Sequence, residues 1–211
     1  MPRSLEWVVP PQQERSRETL ERILEAAEEA ILAGGLGPVT VADVARRAGS
    51  SVGAFYARFP DKESLLRCVF QRFYEQAVAT VDTVLEPARW QDASASDLVA
   101  SAMAFVVRVF CEKRRLIVAL TLRVARDPDL GAMGQAVGER IAVRINELFG
   151  ARGDHLSHPN PEQAVGFAVW LVLSALNSRA LGAEAGELIP ESVIAGELTQ
   201  MAIAYLGIAE H

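Results

Sequence analysis

Apolar residues recur at helical spacing along almost the whole chain. Between about Arg15 and Gly34 they fall on one face of a 3.6-residue period, and Gly34-Gly35 ends the predicted helix. Comparable patterns predict longer helices, one capped by Asp61 and others near 95–111, 114–125, 131–150, 162–181 and 191–208. No segment alternates convincingly in the manner of a strand. The pattern therefore predicts an all-α protein of about nine helices.

The second and third predicted helices are short. Thr40 opens the second at a Thr-x-x-Asp capping box, and Gly49 ends it after barely two turns. Ser50 or Ser51 can cap the third, which Pro60 terminates. Two short helices joined by a tight turn that contains glycine are typical of a helix-turn-helix.

The aromatic residues of the third helix divide between its two sides. Phe55 and Phe59 are four residues apart and share one face, so we expect them to pack in the core. Tyr56 is rotated by about 100° from Phe55 and points to the surface, where its phenol can hydrogen-bond a phosphate. The small residues at 51–54 let the backbone approach a groove closely. Alternatively, Tyr56 is a packing residue at the surface.

The same region resembles a known family. The residues that carry the resemblance are the run Thr40–Gly49, then Ser51, Gly53, Tyr56, Phe59 and the run Asp61-Lys62-Glu63. They are similar to the N-terminal signature of TetR-type transcriptional regulators, over about residues 15–70. The resemblance implies a homodimer whose two third helices enter successive major grooves of a palindromic operator. It also implies a C-terminal domain that binds a small-molecule effector and then releases DNA.

This resemblance divides the chain into a flexible arm (1–13), a helix-turn-helix DNA-binding domain (14–62) and an effector-binding and dimerisation domain (63–211). It implies roles in DNA binding for Thr40, Arg47, Ser51, Val52, Ala54, Tyr56, Arg58 and Lys62. The expected phosphate ligands are Thr40, Tyr56 and Lys62, with Arg47 as a further candidate, and the exposed face of the third helix would read bases. The alternative for the basic residues is that they are solvated surface charges.

Two of these positions depart from many relatives of the family. Val52 stands where many have a polar or basic residue, and Ala54 where many have threonine. These side chains could contact thymine methyl groups but leave little hydrogen-bonded readout. Arg58 and Arg3 of the arm could compensate.

Charge and composition narrow the classes of function. The chain has 211 residues and a net charge of −6, which argues against a protein that coats nucleic acid non-specifically. Residues 40–67 nevertheless carry five basic and three acidic side chains, so binding to an anionic polymer would be local. The two cysteines and the lack of a visible signal peptide favour a reduced, cytoplasmic protein.

The last two predicted helices carry more apolar surface than one chain can cover. The stretch Ala164–Leu176 is apolar around its circumference, yet it is shorter than the roughly 20 residues needed to cross a bilayer. It is predicted to be buried on nearly all sides. We expect the helices near 162–181 and 191–208 to form a two-fold interface with a second copy. Burial within one chain is the alternative, and no membrane partner is expected.

The effector site is predicted less sharply. Candidate residues are Met103, Phe105, Phe110, Leu120, Arg123, Phe167, Trp170 and Asn177, and ordinary packing is an alternative for each. Arg108 and Arg123 lie in apolar helices and need a partner, either an anionic ligand or a carboxylate such as Glu112. Composition indicates an apolar, moderately large cavity.

The sequence predicts no cofactor, no metal site and no catalytic residues. His155 and His158 are three apart, but no further ligand completes a site. We therefore expect a ligand-responsive DNA-binding regulator, most simply a repressor. Two other classes stay open, an all-α enzyme and a helical adaptor whose helix-turn-helix no longer binds DNA.

Overall fold

The computed structural model describes residues 14–153, 156–182 and 189–208, and these form nine α-helices, one short 3-10 helix and no strand. The helices are α1 (Glu14–Gly34), α2 (Val41–Arg47), α3 (Val52–Tyr56), α4 (Lys62–Val84), α5 (Ala95–Glu112), α6 (Arg114–Val124), α7 (Pro128–Arg152), α8 (Pro161–Gly182) and α9 (Glu191–Leu206). The predicted all-α fold is confirmed. The arm at 1–13, with Arg3, and His155 lie outside the described residues.

The chain divides into two compact units. The N-terminal unit contains residues up to 76 together with 115–133, and the C-terminal unit contains 77–114 and the residues from 134 onward. The N-terminal unit therefore includes α6 and the start of α7 in addition to the helix-turn-helix.

The core of the N-terminal unit is built on the aromatic residues of the short helices. Phe55 and Phe59 are fully buried, with ring centroids 5.4 Å apart, which confirms their predicted inward orientation. They join one apolar cluster with Ile23 of α1 and Phe70 of α4. Because α3 has only five residues, its position depends on this packing rather than on its own helical stability.

Arginines tie the helices of the N-terminal unit together. Arg72 of α4 donates to the carboxylate of Glu28 on α1 at 3.1 Å. Arg115, at the start of α6, donates to backbone carbonyl oxygens in the last turn of α1. Such charge-assisted bonds at a helix C-terminus satisfy carbonyl groups that have no partner inside the helix.

The core of the C-terminal unit lies between α5, α7, α8 and α9. Ala164 and Val165 of α8 are buried with Leu98 of α5 and Leu206 of α9, and a second cluster surrounds Leu176. Small residues on the inner side of α8 suit this close packing.

By length and composition alone, helix α8 could cross a membrane. Within this single chain, 33% of its most apolar stretch is buried. The prediction that α8 is buried on nearly all sides is therefore wrong for a single chain. Phe167 and Trp170 project from it with 49% and 61% of their surface exposed. An apolar helix that packs in a soluble core meets the same criterion of length and composition.

Candidate nucleic-acid interface

Local hydrogen bonds fix the turn between α2 and α3. The Thr40 side chain accepts the backbone N–H of Asp43 at 3.1 Å and caps α2. After α2, Gly49 adopts φ +59°, a left-handed conformation that residues with a side chain rarely adopt. The backbone N–H of Ser50 then donates to the carbonyl of Ala45 at 2.9 Å. The chain can therefore reverse sharply at residue 49 and start α3 at once.

Helix α3 has one buried side and one exposed side with mostly small side chains. Ser51 caps it by accepting the N–H of Ala54 at 3.0 Å. Phe55 is buried, whereas 43% of Val52 and 55% of Tyr56 is exposed. The outward orientation of Tyr56 is thus confirmed, and its ring stands edge-on to Phe55 with centroids 5.3 Å apart.

The segment after α3 holds two of the predicted basic residues. Arg58 is half-buried, and its Nη1 donates to the carbonyl oxygen of Ala54 at 2.8 Å, so its guanidinium supports the C-terminal end of α3. Lys62 is half-buried, and its Nζ lies 3.5 Å from the carbonyl oxygen of Leu36. Neither side chain extends freely into solvent.

The start of α4 is capped by an ionised carboxylate. Asp61 Oδ1 accepts the backbone N–H of Ser64 at 2.7 Å and its hydroxyl at 2.8 Å. The backbone hydrogen bond from Ser64, followed by that from its hydroxyl, lowers the pKa of the Asp61 carboxyl. This cap places Lys62 in the first turn of α4.

Two arginines of α2 share one carboxylate. Arg46 Nη2 lies 2.5 Å from Asp43 Oδ1, and Arg47 Nε lies 2.6 Å from Asp43 Oδ2. The hydrogen bonds from Arg46 and then Arg47 lower the pKa of the Asp43 carboxyl. Spacings of three and four residues on a helix are those at which opposite charges pair, so the sequence carries a signal for both ion pairs.

The exposed side of the helix-turn-helix combines hydroxyl and guanidinium donors with the small side chains of α3 and its cap, Ser51, Gly53 and Ala54. Hydroxyl groups come from Thr40, Ser51 and Tyr56, and α2 packs directly against α3. Such donors suit phosphate oxygens, and small side chains allow close approach to a groove.

A family comparison agrees with this geometry. Residues 23–69, which contain α2, α3 and the turn between them, match the model described as bacterial regulatory proteins, tetR family. The match covers 47 of the 211 residues, and over this region the chain resembles the TetR family. Members of this family are DNA-binding transcriptional regulators, usually repressors, and not enzymes.

A curated relative supports the same region. This chain is 37% identical over 62 residues to the HTH-type transcriptional regulator TtgR of Pseudomonas putida. The match covers 29% of this chain and only 30% of the relative, so it spans less than a third of either protein.

Solved structures extend the similarity of fold to nearly the whole chain. A crystal structure from Mesorhizobium loti, described as of the TetR family, superposes with a TM-score of 0.74 at 19% identity, covering 92% of this chain and 98% of the other. SmeT, the repressor of the Stenotrophomonas maltophilia multidrug efflux pump SmeDEF, superposes with a TM-score of 0.62 at 20% identity, covering 89% and 91%. At such low identities the likeness establishes the fold alone.

The C-terminal unit contains a small, partly open apolar cavity of about 90 Å³. Its lining comes from α5, α7, α8 and α9, and consists of Ala102, Met103, Val106, Ile141, Ile145, Val165, Ala168, Val169, Val172, Leu173, Ala202 and Leu206. The cavity is smaller than the moderately large one expected from composition. For comparison, an engineered cavity of about 150 Å³ holds benzene.

The structure brings only one of the predicted effector residues to this cavity, namely Met103. Phe105, Phe110 and Asn177 are half-buried elsewhere, and Phe167 and Trp170 are exposed. Leu120 lies in the core of the N-terminal unit. Residue type alone did not separate cavity walls from other apolar positions, because every helix around the cavity presents an apolar face.

Arg123 has an intrachain partner. Its Nη2 donates to Glu63 Oε1 at 3.0 Å, and its guanidinium lies 5.9 Å from the Phe70 ring centroid. The partner carboxylate is therefore Glu63 rather than the suggested Glu112. Arg108 lies exposed over the Phe105 ring, at 5.7 Å from the centroid.

Proposed function

We propose that the protein is a transcriptional regulator that binds double-stranded DNA as a homodimer and acts as a repressor. The observation that carries this proposal is the division of α3. Phe55 anchors it in the core, whereas Val52 and Tyr56 remain exposed beside the small residues Ser51, Gly53 and Ala54. A helix of this kind is suited to enter a major groove.

Phosphate contacts would come from the edges of the helix-turn-helix. The Thr40 hydroxyl already accepts a bond as the cap of α2 and can still donate its proton to a phosphate. Tyr56, Lys62 and Arg47 supply three further donors, two of them cationic. These contacts fix the register of the protein on DNA without reading the sequence.

Base contacts would come from the bare face of α3. The Ser51 hydroxyl can donate or accept, while Val52 and Ala54 offer methyl groups to thymine. Arg58 would act mainly by holding the end of α3 through its bond to Ala54. We expect this helix to favour thymine-rich half-sites and to discriminate modestly among them.

Dimerisation would use the exposed apolar side of α8 and α9. The rings of Phe167, Trp170 and Tyr205 form a continuous surface, with the Phe167 centroid 5.6 Å from that of Trp170 and 5.7 Å from that of Tyr205. Val193 is also exposed on α9. An apolar patch with three exposed aromatic rings is typical of a protein–protein contact, and a second copy would cover it.

The effector would be a small, uncharged and apolar molecule. The cavity walls between α5, α7, α8 and α9 carry only apolar side chains, and a buried charge without a partner would be strongly unfavourable there. Binding of anything larger than a few heavy atoms requires the walls to move apart. We infer that such movement lowers the affinity for DNA, and that the protein acts in the cytoplasm.

The deciding experiment is a fluorescence-anisotropy titration with a duplex from upstream of the protein's own gene, alongside light scattering to measure the mass in solution. We expect a dimer that binds this duplex specifically and whose affinity falls as salt is raised. A folded dimer without specific binding would overturn the proposal and favour a helical adaptor with a vestigial helix-turn-helix.

A further inference from the structure

Asp43 lies between Thr40 and Arg47, two of the proposed DNA contacts, on the same side of α2. Thr40, Asp43 and Arg47 follow one another at spacings of three and four residues, and so share one side of the helix. Val44 and Ala45, on the adjoining side of the helix, are buried. A carboxylate at this place would repel the phosphates that its neighbours are proposed to bind.

Both oxygens of this carboxylate are covered by guanidinium groups. Oδ2 accepts from Arg47 Nε at 2.6 Å, and Oδ1 accepts from Arg46 Nη2 at 2.5 Å. The Asp43 side chain is 27% exposed, compared with 38% for Arg47 and 72% for Arg46. The group of three therefore carries a net positive charge with the carboxylate on its inner side.

We propose that Asp43 is a positioning residue, which holds Arg47 in the orientation that contacts a DNA phosphate. The bond to Asp43 uses Nε of Arg47, so the two terminal nitrogens of the guanidinium are left for another acceptor. An arginine held in this way loses less side-chain freedom when it binds a phosphate. This inference rests on the proposed function and specifies how one contact of that site is prepared.

The direction in which Asp43→Asn changes the affinity for DNA distinguishes positioning of Arg47 from a simple effect of charge. Asp43→Asn removes a negative charge close to DNA, and charge alone predicts tighter binding. Positioning predicts weaker binding, by about three- to tenfold, with a salt dependence that falls by about one phosphate contact in each subunit. Glu25→Gln, an exposed carboxylate on α1, is the matched control for net charge.

The probe is a labelled duplex selected from a random-sequence pool by the wild-type protein, titrated at several salt concentrations. We expect Asp43→Asn to lose affinity in the wild-type background but not in an Arg47→Ala background, because Asp43 acts through Arg47. Equal loss in both backgrounds, or tighter binding by Asp43→Asn, would overturn the inference. A wild-type protein that selects no duplex would overturn the proposed function, and this inference with it.

A change in folding is separated from positioning by two further measurements. Thermal unfolding of each variant reports whether α2 still packs. Asp43→Glu keeps a carboxylate four residues before Arg47, a spacing at which helical pairs form, and we expect it to restore most of the affinity and the salt dependence. If Asp43→Glu folds normally yet binds as weakly as Arg47→Ala, the inference is wrong.

Discussion

Arg67 and Asp127 form a two-pronged ion pair between residues 60 positions apart. Arg67 Nε donates to Asp127 Oδ2 at 2.6 Å, and Nη2 donates to Oδ1 at 2.7 Å. The side chains are only 25% and 14% exposed. Asp127 Oδ1 also accepts the N–H of Leu130 at 3.4 Å in the first turn of α7. One carboxylate thus connects α4 to the start of α7 within the N-terminal unit.

Loss of this pair should destabilise the N-terminal unit. We expect Asp127→Asn to lower the free energy of unfolding by about 1–2 kcal/mol, because it weakens two charge-assisted hydrogen bonds of a half-buried guanidinium. Denaturant titration followed by circular dichroism measures the change. Asp129→Asn is the matched control, since Asp129 is 72% exposed and lies 3.5 Å from Arg67, and it should change stability very little. Similar losses for both variants would contradict this role.

The same pair predicts sensitivity to acid. The Arg67 hydrogen bond lowers the pKa of the Asp127 carboxyl from its ordinary value of 3.8. A carboxyl whose pKa is lower in the folded protein contributes stability that is present above 3.8 and is lost as the pH falls through the folded value. We expect the stability difference between wild type and Asp127→Asn to shrink steadily below about pH 4. A difference that stays constant down to about pH 2 would contradict the assignment.

Local features of the sequence predicted the helices and the orientation of α3. The spacing of Phe55, Tyr56 and Phe59 determines which side chains share a face, so their burial and exposure followed without the structure. Ion-pair partners that are distant in sequence could not be predicted in this way. Nothing in the spacing around Arg67 or Arg123 identifies a carboxylate 60 residues away, because that pairing depends on how helices pack.

Removal of the Tyr56 hydroxyl should weaken DNA binding without changing stability. Tyr56 is 55% exposed, and its ring would remain against Phe55 in Tyr56→Phe. We expect an affinity lower by at least about tenfold, because a hydrogen bond to a charged group contributes about 1.5–3 kcal/mol. Anisotropy titration with the selected duplex measures the affinity, and thermal unfolding measures stability.

Tyr74→Phe provides the matched control for this substitution. Tyr74 lies on α4, where burial raises the pKa of its phenol to about 12. It packs against the apolar core of the N-terminal unit rather than on the side of the helix-turn-helix that carries Tyr56. We expect no change in DNA affinity for Tyr74→Phe, and equal losses for the two variants would count against a phosphate contact by Tyr56.

Lys62→Met should reduce the number of phosphate contacts. Methionine retains most of the apolar length of lysine but removes the ammonium group that lies 3.5 Å from the Leu36 carbonyl. We expect the slope of log affinity against log salt to become shallower by about one contact in each subunit, with a small change in stability. An unchanged slope would indicate that Lys62 serves only the fold, through its contact with Leu36.

Introduction of a charge on α8 should prevent the proposed dimerisation. Trp170 is 61% exposed and continues the aromatic surface of Phe167 and Tyr205. Trp170→Glu would therefore place a carboxylate in the proposed interface, where desolvation of a charge is unfavourable. The interior of each chain would stay intact. We expect a folded monomer at micromolar concentration and DNA binding weaker by at least about tenfold, because a monomer engages only one half-site. Leu122→Glu, at a 62% exposed residue of α6, introduces the same charge and should remain dimeric. Sedimentation velocity distinguishes the two, and a Trp170→Glu protein that still sediments as a dimer would show that α8 and α9 are not the interface.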